Sequence, residues 1–271
     1  MSEHSTEATS SYQELEKMDT HMILNCINSE DIKVALAVKN SLTQIEKLIE
    51  ALLLKIQNGG RLFYIGAGSS GRLGILDASE CPPTYGVSEE LVIGIIAGGD
   101  RAIRHAIENA EDDPDAGFGQ LKAKMVSKQD FVVGIAASGK TPYVVGAIQQ
   151  CKNAGISTAC IVCNTASPLA KIADYPVEII VGPEFVSGST RMKAGSAQKM
   201  VLNMISTALM IKLGKVKGNK MVDMKVSNAK LKKRAIDMVC EETKLSKEEA
   251  AELIHRYGSV RKAMEAWELN K

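Results

Sequence analysis

The sequence has no surplus of either charge: 33 Lys and Arg stand against 32 Asp and Glu, a net charge of +1. No overall field therefore favours nucleic acid or an acidic membrane surface, and any anion must be bound locally. No stretch approaches the ~20 continuous apolar residues of a membrane span, and the polar N-terminus has no apolar signal core. A reducing cytoplasm is the expected setting. Metal-type spacing is missing as well: there are four histidines, and no His, Cys and Asp cluster has ligand spacing. Cys160 and Cys163 form a C-x-x-C, but within the apolar ACIVCN stretch, which reads as a strand with buried thiols. No cofactor and no metal are expected.

What is present is an ordinary globular composition, 45% hydrophobic and 24% charged over 271 residues. That is enough for one large α/β domain, or a medium domain with an appendage. Residues 1–12 are Ser/Thr/Glu-rich and predicted to fray. Apolar positions at three- and four-residue spacing predict helices over 14–28 and 29–57, the second stopped by Asn58, Gly59 and Gly60. Five short apolar runs follow: RLFYIGAG, LVIGIIAG, FVVGIAAS, STACIVCN and VEIIVG. Fully apolar runs separated by helix-compatible sequence predict parallel strands covered on both faces. The apolar segment 196–213 predicts a core helix or a subunit interface. From 228 the sequence turns highly charged, with helices expected over 228–242, 246–256 and 258–268, and Ser246 with Glu249 spaced as a capping box.

Two strands end alike, in IGAGSSGR and IAASGKTP. Gly66, Gly68 and Gly71 match the dinucleotide fingerprint, but the acid it needs at the end of the next strand, about 20 residues on, is poorly matched, since Asp100 after that strand lies about 30 residues on. Hydroxyls and free N–H groups at a helix start suit a terminal phosphate better. A phosphate monoester held by both loops is the preferred reading; two ordinary Ser/Gly turns are the plain one. Glu80 is expected to follow the helix opened by Gly71, pinned where Pro82 and Pro83 stop it. Glu108 and Glu111 are expected on one face of a helical AIRHAIENAED segment; a solvated acid is the plain reading of Glu111, and a surface or packing role that of His105.

The repeated loop, Ser138-Gly139-Lys140-Thr141, resembles the SIS (sugar isomerase) family of phosphosugar-binding domains. GAGSSGRLGILDASECPPTYG, HAIENAEDD, VVGIAASGKTPYV, GSTRMKAGSAQKMVLNMIST and GNKMVD together resemble the narrower N-acetylmuramic acid 6-phosphate etherase family, from about Asp31 onward. The resemblance implies an α/β three-layer sandwich with a mostly parallel central sheet and a small C-terminal helical, ubiquitin-associated-like appendage. Its divisions are 1–30, 31–227 and 228–271. It implies a homodimeric carbon-oxygen lyase releasing D-lactate and N-acetylglucosamine 6-phosphate in cell-wall sugar recycling. Glu80 and Glu111 fall on the family's catalytic pair, and Gly68, Ser69, Ser70, Ser138, Gly139, Thr141, Ser189 and Lys193 on substrate contacts. A silent SIS sensor of the glucokinase-regulator kind and a phosphosugar isomerase are the rival readings.

Overall fold

The computed structural model describes residues 5–226 and 228–269. The apolar runs become five parallel strands, β1 (Leu62–Gly66), β2 (Val92–Ile96), β3 (Phe131–Ile135), β4 (Ser157–Val162) and β5 (Tyr175–Glu178), in the order β2-β1-β3-β4-β5. The last strand lies slightly earlier than VEIIVG suggested, and only Ile179 continues its bonding, to the Val162 carbonyl. Alternate residues feed opposite layers, as the two-residue strand period requires. Leu62, Tyr64, Val133 and Ile161 face one buried cluster; Phe63, Ile65, Val132 and Val162 face the other.

The first layer consists of α1 (Thr20–Asn40), α2 (Leu42–Gln57), α3 (Gly68–Tyr85) and α8 (Lys193–Lys212). The opposite layer holds α5 (Ala116–Ala123), α6 (Pro142–Asn153) and α7 (Pro168–Ile172); the short α4 (Arg101–Arg104) follows β2. Helix α8 is mostly buried, with Val201, Leu202, Ile205 and Leu209 fully inaccessible. Among the described residues no helix is long and apolar enough to cross a membrane.

The helix boundaries near the N-terminus differ from the spacing argument. Asp19 caps α1 by accepting the Met22 N–H, and the helix runs through Asn28 and Ser29, whose hydroxyl donates to the Asn25 carbonyl. The break falls at Ser41, whose hydroxyl reaches the Glu178 carbonyl at 2.7 Å. Nor does the segment from Thr6 to Tyr12 fray. Thr6 donates its N–H to Asn164 Oδ1 at 3.0 Å, and Ser10 Oγ donates to the Phe185 carbonyl at 2.7 Å. Polar composition concealed these long-range bonds.

The charged tail forms α9 (Ala229–Thr243), α10 (Lys247–Tyr257) and α11 (Val260–Leu269) around its own core of Val239, Ala250, Ile254 and Met264. The Ser246–Glu249 capping box forms as its spacing required. Arg261 Nε donates to Asp223 Oδ1 at 2.7 Å, and the Lys225 N–H reaches the Pro83 carbonyl at 3.2 Å, joining the tail to the end of α3.

Close contact of α3 with the sheet depends on missing side chains. A Cβ on Gly71 would lie 2.6 Å from Ile96 Cγ1 and 2.7 Å from the Gly66 oxygen. Gly71→Ala should therefore cost about 1–3 kcal/mol by overpacking. Gly119→Ala, in α5 with nothing within 4 Å of its Cβ, should gain about 0.5–1 kcal/mol from helix propensity. Urea unfolding midpoints check both signs.

Candidate active site

In open parallel sheets ligands bind beyond the carboxyl ends of strands, where the strand order reverses. Here that point lies between β1 and β3. Both Gly/Ser loops emerge there, GAGSSG after β1 and SGKT after β3. Gly68 opens α3 with φ +51, and the N-cap residue Ala67 makes no side-chain bond, so the first N–H groups of an 18-residue helix are not side-chain capped. Gly139 is left-handed at φ +68, and a Cβ there would lie 2.2 Å from Ser167 Oγ. Thr141 precedes α6 without capping it. Ser138 Oγ accepts the Lys140 N–H at 3.2 Å, and Ser70 Oγ donates to Gln198 Oε1 at 2.9 Å. Ser69 is half-buried beside Ser70.

A cavity of about 310 Å³ opens at the ends of β1 and β2, lined by Gly68, Arg72, His105, Glu108 and Glu111 among others. Glu111 is exposed, and its backbone is tied to the second loop's helix, the Tyr143 N–H donating to the Glu111 carbonyl at 3.0 Å. The structure thus brings Glu111 together with Gly68 and the start of α6. Ser69, Ser70, Ser138 and Thr141 lie outside the cavity lining, at the ends of β1 and β3. The expected helix carrying Glu108 and Glu111 is not formed: α4 ends at Arg104, and turns follow, with Asn109 at φ +61. That left-handed residue cannot belong to a right-handed helix.

Glu80 lies elsewhere on the chain. Pro82 and Pro83 do not end α3, which runs on to Tyr85 and closes at Gly86 with φ +66. The prolines sit in its last turn, where they leave the Ala78 and Ser79 carbonyls without their helical N–H donors, yet the Gly86 N–H still reaches the Pro82 carbonyl and closes the helix. Twelve residues of helix separate Gly68 from Glu80, roughly 18 Å at 1.5 Å per residue. Glu80 is exposed in a second cavity of about 310 Å³, with Asp77, Thr84, Lys199 and Asn203. One chain therefore does not bring Glu80 to Glu111.

Ser189, half-buried in the turn before α8, and Lys193 line neither cavity. Lys193 is 2% exposed, its Nζ lying 2.6 Å from Glu30 Oε2. Glu184 anchors the same turn, its two carboxylate oxygens accepting the Lys193 and Ala194 N–H groups at 2.9 Å each. Burial pushes the Glu30 pKa up, but hydrogen bonds from Lys193, Lys33 and Tyr12 outweigh it and hold the group at about 2. The C-x-x-C thiols are fully buried in and beside β4, and desolvation pushes both up to about 12. Sequence reasoning gave no role to Asp77 and did not single out Lys199, Glu30 or Glu184. For Lys199 a signal existed, since it is a cation within an apolar helix, on the face shared with Asn203.

Residues 109–208 match the SIS domain family, 44–152 the glucokinase regulatory protein N-terminal SIS domain, and 218–266 the C-terminal lid domain of glucokinase regulatory protein. Similar solved folds include a phosphoheptose isomerase from Neisseria gonorrhoeae, 17% identical, with TM-score 0.55 over 70% of this chain and 98% of that one. A phosphoheptose isomerase from Francisella tularensis is 16% identical, with TM-score 0.55 over 72% and 100% of the two chains. The fold is therefore that of an SIS-domain α/β protein. Relatives spanning nearly the whole chain narrow the class. N-acetylmuramic acid 6-phosphate etherase of Christiangramia forsetii is 58% identical over 96% of this chain and 95% of its own. That of Bacteroides thetaiotaomicron is 53% identical over 97% and 95%. The chain belongs to the N-acetylmuramic acid 6-phosphate etherase family.

Because Glu30 titrates from about 2 in the folded protein against an ordinary value of 4.5, its pairing stabilises the fold fully above pH 4.5, and that contribution is lost as pH falls towards 2. Glu30→Gln should be less stable than wild type at pH 7, and the gap should narrow between pH 4.5 and 2. Urea midpoints across that range measure it.

Proposed function

We propose that this chain cleaves the lactyl ether of N-acetylmuramic acid 6-phosphate, giving N-acetylglucosamine 6-phosphate and D-lactate. Family membership carries the reading, and a carboxylate beside a phosphate-type loop at the sheet's switch point supports it. The loops bearing Gly68, Ser69, Ser70, Ser138, Gly139 and Thr141 hold the phosphate. In the ring-opened sugar, the C1 aldehyde acidifies the C2 hydrogen. Glu111 takes that proton; the C–H electron pair forms the C2–C3 double bond, and the C3–O pair leaves on the lactyl oxygen, which Glu80 protonates. The Glu80 carboxylate then takes a proton from water, hydroxide adds at C3, and Glu111 returns its proton to C2. We assign this chemistry to residues 31–227, in a cytoplasmic enzyme of amino-sugar recycling, with the 228–271 tail outside it.

The separation along α3 supports a homodimer as the working unit. A groove of about 790 Å³ between α2 and α8 is lined largely by apolar residues, including Leu42, Ile45, Ile49, Met204 and Ile211. Leu42 is 46% and Ile211 51% exposed. The groove shares Asn203 and Thr207 with the Glu80 cavity. A second copy seated there brings one protomer's Glu80 to the other's phosphate crevice, and closed two-fold pairs are the commonest oligomers.

The pure protein should release lactate from N-acetylmuramic acid 6-phosphate, and no release would end the proposal. Glu80→Gln and Glu111→Gln should each lower turnover about 10²- to 10⁴-fold. Mixed after subunit exchange, the two dead variants should recover activity, because each heterodimer then contains one site with both glutamates. No recovery in verified heterodimers would place both carboxylates in one chain.

A further inference from the structure

Among its described lining residues, the cavity holding Glu80 contains one cation, and the mechanism above gives it no task. Lys199 Nζ lies 3.3 Å from Asp77 Oδ1, with 29% of its side chain exposed. Asp77 is 3% exposed, and the same oxygen accepts from Ser206 Oγ at 3.2 Å. Burial pushes the Asp77 pKa up, while Lys199 and Ser206 draw it back down. Lys199, Asn203 and Thr207 recur every four residues on α8, so one helix face turns all three towards Glu80. An ammonium has three donors. Asp77 takes one and fixes the direction of the others.

A buried ion pair is weak evidence for a purely stabilising role, because desolvating both charges offsets most of their attraction. Here the pair is buried on one side only. The carboxylate is enclosed while the ammonium opens into a cavity shared with the proposed acid. The leaving group in the reaction above is an α-oxy carboxylate, whose ether oxygen and carboxylate sit on the same carbon. Whatever protonates that oxygen must have the carboxylate beside it. An unpaired anion in a partly desolvated cavity is costly unless a cation meets it.

We propose that Lys199 forms the subsite for the lactyl carboxylate, with Asp77 as its positioning residue. The proposal rests on the etherase reading and adds to it the recognition of the departing acid. Glu80 and Lys199 of one copy then handle the lactyl arm, while the sugar and phosphate stay with the loops and Glu111 of the other. The ammonium also faces the negative charge that develops on the lactyl oxygen as the C–O bond breaks.

The test compares N-acetylmuramic acid 6-phosphate with its analogue bearing a carboxamide in place of the lactyl carboxylate. A charge-assisted hydrogen bond should make wild-type kcat/KM about ten- to a hundred-fold higher for the acid. Lys199→Gln keeps a hydrogen-bond donor for Asp77 but removes the charge, and its acid-to-amide ratio should collapse towards one. Lys199→Arg should recover part of the ratio. A merely structural lysine would lower both substrates alike and leave the ratio intact. An unchanged ratio in Lys199→Gln, or no preference in wild type, overturns the subsite. A wild type that releases the acid from neither substrate overturns the etherase reading, and the subsite with it.

Discussion

The packing of α3 against the sheet sets the geometry of everything else. Three glycines allow it to lie so close: beside Gly71, a Cβ on Gly74 would sit 3.0 Å from Tyr64 Cβ, and one on Gly94 would sit 2.6 Å from Ile75 Cα. A helix held this tightly cannot pivot. Its N-terminal turn therefore sits at the β1–β3 switch point, and Glu80 sits at its far end, about 18 Å away along the axis. A sugar phosphate cannot span the two. If both carboxylates act on one sugar, as proposed, the second must come from another copy, and the apolar α2–α8 groove is the surface proposed to seat it.

Most of the sheet was legible because buried parallel strands leave an unmistakable pattern: short apolar runs with little polar interruption. The paired loops were legible for the same reason, since each follows such a run. So was the capping box at Ser246, a purely local device. What could not be read were features decided by contacts distant in sequence. Thr6 and Ser10 look like part of a frayed tail until Asn164 and Phe185 are placed beside them. The break at Ser41 reflects its bond to Glu178, where spacing alone had put one at Asn28.

The arrangement around the candidate site differs from the sequence reading in several places. Glu111 and Gly68 meet in one cavity, as the crevice argument anticipated, although through turns where a helix was expected. Pro82 and Pro83 were given too much authority: each removes one helical hydrogen bond, but α3 continues through both to Tyr85 and ends at the left-handed Gly86. Lys193 was named from its motif, and its charge pairs with Glu30 in a cavity of its own, whereas Lys199, six residues on, faces the Glu80 cavity. A motif locates a segment, whereas only packing decides which of its side chains turn outward.

The central claim is that two carboxylates drive elimination across C2–C3 followed by return of water. Turnover of N-acetylmuramic acid 6-phosphate in deuterated, ¹⁸O-enriched water tests it most directly. The account predicts deuterium at C2 and ¹⁸O on C3 of the product sugar, with the lactate hydroxyl oxygen unlabelled because its own C–O bond never breaks. Label in the lactate hydroxyl, with none at C3, would mean that water attacks the lactyl carbon, and would contradict the account.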